Sequence, residues 1–508
     1  MKQELNTRER LLACYRKTRE PFSLVPDLKK RNVVAILDEF SVRSFSDFLN
    51  LWLVSPNKAE LDLDFIQPDF LLVESAWNGN NGRWKYMVTS SSGPKKPLRD
   101  LVEACNQRSI PTVFWNKEDP PHFEDFIETA KLFDYIFTSD AAMIPRYQEL
   151  VPDASVNLLQ FAASPRLHSP CRSNVKEKGD VAFAGQYFAH KFPERREQME
   201  ALFPAANKFD FSIFSRALGG DPRYQFPEPY DDNVVGSLPY SEMVKAYRDF
   251  KVFLNVNSVV NSKTMCARRV FELSSCKTAV FGMESEAIRS VYSTEEITLA
   301  KDRSEVLPKL SMLLENDEYR RRQAQSAWRV TMAHHTYEHR IDTILSTLGL
   351  PKSASTTYIE IFPVDSSVVL DKEWIREFTQ GQALPDGVFF EESVATDSTK
   401  LSGVKKLNLY LNPEVEYGKF FTFDLVMTLR QQDTPLVCKS FRNEDSVFEE
   451  EFTDYLPNSG WLTSIDASNF KSLVFGELGT VASQFPVYAA DPFEVSSRTA
   501  DFGFKAVR

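Results

Sequence analysis

The sequence predicts an α/β protein with two doubly wound, Rossmann-like domains followed by a third α/β domain. Short apolar runs of strand length alternate with helical patterns, which is typical of parallel sheets covered by helices on both faces. The alternation begins again near residue 180, which indicates two similar halves. It loses its regularity after GLPKSASTT, which suits a linker. The predicted domains are therefore 1–165, 166–350 and 355–508.

The first domain begins with a polar helix, predicted for residues 1 to about 30, and continues with buried strands that end in polar residues. Its strand candidates are NVVAILDEF from Asn32, DFLLVES from Asp69, IPTVFWNKEDPPHF from Ile110 and FDYIFTSD from Phe133. Helical patterns such as PLRDLVEACNQRS lie between them. The carboxyl ends of parallel strands meet at one edge of a sheet, so a ligand is expected there.

The second domain repeats this pattern and follows a connecting stretch at residues 163–178. Its predicted strands are DVAFAG, FDFSIFSR, FKVFLNVN and KTAVFGM, and its predicted helices include LPYSEMVKAYRDF and CARRVFELSSC. A long helical segment that begins with DEYRRRQ closes the unit. The third domain contains short apolar strands, acids and aromatic residues without a clear repeat.

Composition narrows the function classes. The chain has 508 residues, of which 43% are hydrophobic and 26% charged, as in ordinary globular proteins. The formal net charge of -11 disfavours a long nucleic acid as partner. Six scattered cysteines without C-x-x-C spacing argue against zinc and disulfides, and favour a cytoplasmic protein with reduced thiols. We expect neither a secretory signal nor a membrane span.

The strand ends of the first domain gather acids, an amide and an indole, which suit a polyol. Ser139 and Asp140 follow a strand and are better explained as helix caps. Glu74 ends a predicted buried strand, where a carboxylate needs a partner, so we interpret it with Trp77 as functional. Six residues are the candidates for binding or activating an acceptor: Asp38, Glu74, Trp77, Asn78, Asp119 and His122.

The second domain carries a cationic cluster in NSKTMCARRVFELSSCKTAVFG, which starts at Asn261. Lys263, Arg268 and Arg269 lie before or at the start of a predicted helix, where cations and free N–H groups suit a diphosphate. Glu272 shares a helix face with Arg268, so it is either a ligand for ribose hydroxyls or half of a surface ion pair. Gly185 ends a strand and fits a close phosphate. The absence of a P-loop and of G-x-G-x-x-G disfavours P-loop NTPases and dinucleotide oxidoreductases.

Several ordered motifs resemble the CgeB-like spore-maturation glycosyltransferases, within the group-1 family that has the GT-B fold of two Rossmann domains. The motifs are PDFLLVESAWNGNNGRW, IPTVFWNKEDPPHF, FDYIFTSD and RRVFELSSCKTAVFG, and the resemblance spans Asn32 to Leu348. It implies that the second domain binds a nucleotide-sugar, that the first binds the acceptor, and that the closing helix returns to the first domain.

The resemblance is incomplete at the donor site. Group-1 enzymes commonly carry a Glu-x7-Glu pair, and Glu272 occupies the second position, whereas Thr264 occupies the first. Lys277 also follows Cys276 where a glycine is usual. Glu272 is therefore expected to contact the ribose. Lys263 and the two arginines are expected to stabilise the leaving diphosphate without a metal ion.

The third domain shows a weaker resemblance to family-2, GT-A-type sugar-transfer domains. It is carried by LNLYLNPEVEYGKFFTFDLVMTLRQQDTPLVCKS and YAADPFE. Active members bear an acidic metal-binding cluster before Tyr-Gly, but residues 412–416 read Asn-Pro-Glu-Val-Glu and the region has no D-x-D. The one D-x-D of the chain, Asp62-Leu63-Asp64, is expected to form a solvated turn. We expect a degenerate, non-catalytic domain that stabilises, dimerises or binds the acceptor.

The sequence thus predicts a metal-independent glycosyltransferase, transferring a hexose or pentose from a nucleotide-sugar to a hydroxyl of a glycan, protein or modified base. No cofactor is expected. If the reaction inverts the anomeric centre, Glu74, Asp119 and His122 are the candidate bases. Two alternatives stay open: a binding or assembly protein built on a decayed transferase, and a nucleotide-sugar epimerase. A homo-oligomer formed through the third domain is also compatible with the sequence.

Overall fold

The computed structural model describes most of the chain up to residue 352 and shorter segments beyond it. The described ranges are 31–56, 59–89, 93–170, 177–352, 357–363, 369–391, 405–411, 413, 415–432, 436–439, 451–453, 463–467, 487–489 and 495–497. Residues 31–168 and 177–352 form one compact unit, and the described residues from 357 onward belong to a second. The helix expected before residue 31 and part of the expected linker lie outside these ranges.

The first sheet has six parallel strands in the order β2-β1-β3-β4-β5-β6. The strands are β1 (Asn32–Ile36), β2 (Asn50–Leu53), β3 (Phe70–Glu74), β4 (Thr112–Asn116), β5 (Tyr135–Thr138) and β6 (Ser155–Leu158). The four predicted strands are β1, β3, β4 and β5, which are mostly or wholly buried. The edge strands β2 and β6 are partly exposed and were not predicted, although β2 lies in the apolar run LWLV that starts at Leu51.

The second sheet is also six-stranded and parallel, in the order β12-β11-β10-β7-β8-β9. Its strands are β7 (Gly179–Gly185), β8 (Phe211–Ser215), β9 (Val234–Gly236), β10 (Phe250–Asn255), β11 (Ala279–Met283) and β12 (Thr298–Ala300). Strands β7, β8, β10 and β11 were predicted, whereas β9 and β12 have only three residues each. The two sheets confirm the predicted pair of Rossmann-like folds.

Helices cover both sheets. In chain order they are α1 (Glu39–Phe45), α2 (Ala59–Ile66), α3 (Lys96–Gln107), α4 (Phe123–Ala130), α5 (Ile144–Leu150), α6 (Pro193–Ala206), α7 (Tyr240–Ala246), α8 (Arg269–Ser275), α9 (Arg303–Glu315), α10 (Asp317–His334) and α11 (Tyr337–Thr347). The D-x-D sequence lies within α2, where Asp64 accepts a 2.8 Å hydrogen bond from Arg108, so the expected solvated turn is wrong. Asp140 caps the 3-10 turn Ala141–Met143 through the Ala142 N–H, as predicted.

Each sheet reverses its winding once. In the first sheet, β1 lies between β2 and β3, so the loops after β1 and β3 diverge to opposite faces. In the second sheet, β7 lies between β8 and β10, with the same consequence for the loops after β7 and β10. Such switch points open a crevice at the carboxyl ends of the strands, where doubly wound sheets bind ligands.

The last helix of the unit returns to the first sheet, as the resemblance implied. Ala163 and Thr336 form a backbone bridge, and Arg340 donates hydrogen bonds of 2.8 Å to the Gln160 and Phe161 carbonyls. The Tyr337 ring packs edge-on against Phe45 at 4.9 Å between centroids. Helix α11 therefore completes the core beside the first sheet.

The second compact unit contains a mixed sheet and two described helices. The helices are α12 (Lys372–Gly381) and α13 (Phe421–Gln432); the strands are β13 (Thr357–Pro363), β14 (Val388–Phe390), β15 (Lys405–Leu411), β16 (Val415–Tyr417), β17 (Leu436–Lys439), β18 (Glu451–Thr453), β19 (Thr463–Ala467), β20 (Val487–Ala489) and β21 (Val495–Ser497). Seven strands pair in the order β14-β13-β15-β19-β17-β20-β18, and β16 pairs with β21. Residues 412 and 414 of the predicted degenerate cluster lie outside the described ranges, and the GT-A resemblance stays a prediction.

Candidate functional site

A cavity of about 800 Å³ lies at the carboxyl ends of both sheets and is lined by both domains. Asp38 and Asn78 line it from the loops after β1 and β3. Gly185 and Asn257 line it from the end of β7 and the loop after β10. The cavity thus joins the two switch points, where the topology alone predicts a ligand.

The first-domain wall is organised around a buried lysine that the sequence analysis did not single out. Lys117 is 4% exposed, and its ammonium group lies 2.8 Å from the Asp38 carboxylate and 3.4 Å from that of Glu74. The other Asp38 oxygen accepts a 3.1 Å hydrogen bond from the Gly79 N–H. These contacts fix the Asp38 carboxylate at the cavity and pair the Lys117 charge.

Glu74 lies behind this wall, so its expected position in the cleft is wrong. It is fully buried, and its carboxylate accepts hydrogen bonds from the Ser41 hydroxyl at 2.6 Å and from the Asp38 N–H. Burial raises the pKa of Glu74, while Lys117 opposes that change. A carboxylate at the end of a buried strand needs partners, and the protein itself supplies them.

Trp77 and His122 also lie away from the cavity surface, contrary to expectation. The Trp77 ring packs edge-on against His122 and Phe126, with both centroid distances 5.2 Å. The Nδ1 atom of His122 lies 2.8 Å from the Asp125 carboxylate. Neither side chain is among those that line the cavity. The indole completes the packing of α4 against the sheet and is not presented to a sugar ring.

Asp119 is buried beneath the site and does not reach the cavity either. Its carboxylate accepts hydrogen bonds from Asn116 at 2.7 Å, Thr138 at 2.6 Å and Tyr147 at 3.0 Å. Burial raises the pKa of Asp119 to about 7, against the hydrogen bonds from Thr138 and Tyr147. Asp119 therefore lies away from the cavity, contrary to expectation, and its role as a direct base stays a prediction.

The amide-rich loop after β3 is held in place by hydrogen bonds to the protein itself. Asn80 is buried; its amide nitrogen donates to the Ala35 and Val54 carbonyls at 2.8 and 3.0 Å. Asn80 and Asn81 both have positive φ, which asparagine tolerates better than most residues. The anchored turn presents Asn78 and Asn81 to the cavity.

The second-domain wall carries four arginines: Arg195, Arg216, Arg268 and Arg269. Arg195 is 8% exposed; it donates a 2.9 Å hydrogen bond to the Val256 carbonyl, and its Nε has no hydrogen-bond partner. Arg269 likewise has a buried Nε without a partner. Burial, Arg269 and Arg216 lower the pKa of Arg195 to about 9. Like charges this close are unfavourable unless an anion lies between them.

Arg268 differs from the other three because it is already paired. Its guanidinium forms an ion pair with Glu272, one helical turn away. Arg195, Arg216 and Arg269 have no carboxylate partner within ion-pair distance in the described part of the chain. Three cations are therefore available to an anionic ligand. Of these, the sequence analysis proposed only Arg269.

Glu272 is enclosed behind Arg268 and does not lie at the cavity surface. It is 2% exposed, and its oxygens accept hydrogen bonds from the Tyr240 and Tyr247 hydroxyls at 2.8 and 3.0 Å. Burial acts to raise the pKa of Glu272, but Arg268, His168 and the hydrogen bond from Tyr240 together lower it below its ordinary value. Both oxygens of Glu272 thus have protein partners, and its expected contact with a ribose stays a prediction.

Lys263 and Gly185 have contrasting positions. The Lys263 side chain is 79% exposed, and its Nζ lies 3.5 Å from Glu286, away from the cavity, so its expected place among the phosphate ligands is wrong. A Cβ atom at Gly185 would lie 2.9 Å from the Phe183 ring and 3.0 Å from the Arg195 guanidinium. Only a glycine leaves this part of the cavity open.

Sequence reasoning missed Lys117, Arg195 and Arg216. A signal existed for two of them: Lys117 and Arg216 directly follow the carboxyl ends of apolar strands, the position from which the acidic candidates were chosen. Arg216 is the first residue after β8, and Arg195 lies in the first turn of α6, the helix after β7. Cations at those strand ends were the evidence for an anion site.

Within the described residues, no group of three or more His, Cys, Asp or Glu side chains is arranged to hold a metal ion. No described helix is both long and apolar enough to cross a membrane.

The second half of the compact unit matches a known family. Residues 195–346 match the model of a family described as glycosyl transferase-like. The match begins at Arg195 and also contains the other three arginines of the cavity. No curated protein matches the chain in sequence.

Solved structures of similar fold cover more than half of the chain. A glycosyltransferase from Rickettsia africae has 8% identity and a TM-score of 0.40, with 63% of this chain and 98% of that chain covered. Anabaena HepE in complex with UDP has 10% identity and a TM-score of 0.42, with 62% and 91% covered. Sucrose-phosphate synthase from Thermosynechococcus elongatus has 11% identity and a TM-score of 0.37, with 58% and 77% covered.

Proposed function

We propose that the protein is a glycosyltransferase that moves a sugar from a nucleoside diphosphate sugar to an acceptor hydroxyl without a metal ion. The observation that carries the proposal is the group Arg195, Arg216 and Arg269. These three arginines line the cavity without carboxylate partners in the described residues. They also belong to the segment that matches the glycosyl transferase-like family.

The three arginines suit a diphosphate for electrostatic reasons. A guanidinium donates paired hydrogen bonds to phosphate oxygens, and a buried one gains most from an anionic partner. As the bond between sugar and diphosphate breaks, negative charge grows on the leaving phosphate, and fixed cations stabilise it. Gly185 lets the phosphate approach the backbone beside Arg195.

On the acceptor side, Asp38 takes the place that the sequence suggested for Glu74. Its carboxylate lies at the cavity and is held by Lys117 and the Gly79 N–H. In an inverting reaction Asp38 accepts the proton of the attacking hydroxyl. In a retaining reaction it orients that hydroxyl. Asn78 and Asn81 supply further hydrogen-bonding groups for a glycan, protein or modified-base acceptor.

A thermal-shift screen of nucleotide-sugars, with EDTA present, tests the proposal. The wild type should be stabilised by one donor, by about 2–4 °C at a concentration near a hundred times Kd. Arg269→Gln should lose the shift. Arg322→Gln removes an arginine that pairs with Glu318 on the surface of α10, so it should keep the shift.

Two results would contradict the proposal. One is a wild type that no nucleotide-sugar stabilises, and the other is an Arg269→Gln variant that is stabilised equally. Transfer of a radiolabelled sugar from the stabilising donor is then measured with EDTA and with magnesium. A rate that depends on magnesium contradicts the metal-independent mechanism.

The enclosure of Glu272 favours one alternative, a binding protein that retains the donor site but not the transfer chemistry. Its carboxylate, at the position where group-1 enzymes contact the donor, is occupied by protein groups. Such a protein would show the donor shift with no turnover over hours. An epimerase would consume the donor without an acceptor and release an epimer of the sugar.

A further inference from the structure

Phe40 is contacted by a cation from each side of the cavity. It lies at the start of α1, directly after the loop that carries Asp38. Its ring centroid is 4.4 Å from the Lys117 Nζ and 4.4 Å from the Arg268 guanidinium carbon. The same guanidinium lies 4.7 Å from the Tyr240 ring. We call this row of four side chains the cross-cleft stack.

Both cations of the cross-cleft stack are anchored in their own domain. Lys117 is held by the carboxylates of Asp38 and Glu74 in the first domain. Arg268 is held by Glu272 in the second domain. Phe40 therefore contacts both ion clusters, that of Lys117 beside β1 and that of Arg268 beside α8.

The strength of these contacts suits control of the spacing between domains. A cation over an aromatic face shifts a two-state equilibrium about 2–5-fold at exposed sites and about 30-fold when desolvated. Phe40 is half-buried and makes two such contacts. An energy of about 1.4 kcal/mol changes a two-state population tenfold, so losing the ring is enough to favour a wider cleft.

We propose that Phe40 is a positioning residue, which acts through Lys117 and Arg268 to hold Asp38 at a fixed distance from the phosphate-binding arginines. The inference rests on the proposed function, because that distance matters only if a donor and an acceptor react across the cavity. Phe40 does not bind the diphosphate itself. Its loss should therefore spare anion binding and impair the step that needs both walls.

Kinetics of three proteins test this role: wild type, Phe40→Leu and Phe40→Trp. Leucine keeps an apolar side chain but removes the aromatic face, whereas tryptophan keeps that face. Phe40→Leu should lower kcat for the donor found in the screen about tenfold or more. It should leave the Kd for inorganic pyrophosphate, measured calorimetrically, within about twofold. Phe40→Trp should restore kcat to within about threefold.

Phe65→Leu is the matched control, because Phe65 is 81% exposed on the first domain and remote from the cavity lining. It should match the wild type in both measurements. A Phe40→Leu variant with unchanged kcat overturns the inference. So does one that loses pyrophosphate affinity in proportion to kcat, since that would indicate a general disturbance of the fold or of the anion site.

Small-angle scattering separates failure of this inference from failure of the proposed function. A wild-type protein that binds neither pyrophosphate nor any nucleotide-sugar contradicts the proposed function. Kinetics then cannot test the role of Phe40. The cross-cleft stack still requires that Phe40→Leu scatter as a more open particle than the wild type and Phe65→Leu. Scattering curves that superimpose overturn the stack in either case.

Discussion

Asp119 is a candidate base in the sequence, but in the structure it is a buried carboxylate that is hydrogen-bonded to the protein. Its burial raises its pKa to about 7 from an ordinary value of 3.8. Between these pH values the folded protein keeps a proton that the unfolded chain has released. Each rise in pH across that window therefore lowers the free energy of unfolding, by up to about 1.4 kcal/mol per pH unit.

Asp119→Asn should remove this pH dependence, because the amide does not titrate. The stability of the wild type relative to the variant should fall as pH rises from about 5 to about 7. Urea unfolding midpoints of both proteins measure it, and other titrating groups cancel in the difference. Asp153→Asn, at an exposed position, should give a flat difference. A flat difference for Asp119→Asn as well would refute the raised pKa.

The residue scale is where sequence reasoning was weakest. It found the right loops, since Asp38, Asn78, Gly185, Arg268 and Arg269 all line the cavity. Sequence reasoning did not distinguish Asp38 from Glu74, because both lie at the end of an apolar run. That distinction depends on Lys117, which draws one carboxylate to the cavity wall and the other beneath it. Contacts between residues so far apart in sequence leave no local pattern.

At the scale of elements, the junction of β7 and α6 makes a sharp prediction. Gly185→Ala would place a methyl group 3.0 Å from the Arg195 guanidinium and 2.9 Å from the Phe183 ring. The guanidinium must then move away from the cavity wall. We expect the affinity for inorganic pyrophosphate to fall about tenfold, with about 1–3 kcal/mol of lost stability.

Isothermal titration with pyrophosphate measures the effect of Gly185→Ala. Gly381→Ala is the control, because no atom lies within 4 Å of a Cβ built at that glycine. Equal affinity in Gly185→Ala and the wild type would show that Arg195 does not contact the anion.

Elements were predicted well where burial is continuous and poorly where it is not. The central strands of both sheets are predicted by apolar runs in the sequence. The edge strands β2 and β6, in contrast, are half exposed. Helix α8 illustrates a different limit. It lies within the predicted helix CARRVFELSSC, but it spans only the seven residues Arg269–Ser275. The case for an anion there now rests on guanidinium groups and not on a helix terminus.

At the scale of the whole molecule, both walls of the cavity belong to one compact unit that ends at residue 352. A chain of residues 1–352 should therefore bind the donor as the full chain does, with Kd within about twofold. Thermal shift with the stabilising nucleotide-sugar measures this. Loss of donor binding in the shortened chain, despite a normal unfolding transition, would show that the third domain contributes to the site.

The third domain is the part of the molecule for which the sequence predicted least. Its resemblance to a degenerate GT-A domain, and a role in acceptor binding or self-association, stay predictions. Light scattering of the full chain and of residues 1–352 tests self-association. A dimer that persists after removal of the third domain would contradict it.

The return of α11 to the first sheet has a consequence for synthesis. The ribosome completes β6 long before it makes α11, and at about 5–20 residues per second the interval is on the order of ten seconds. During that time Phe45 can pack against Trp115 of the first sheet but lacks Tyr337, whose ring packs on it in the complete unit. We therefore expect a chain truncated before Tyr337 to expose more apolar surface than the complete unit and to aggregate more readily.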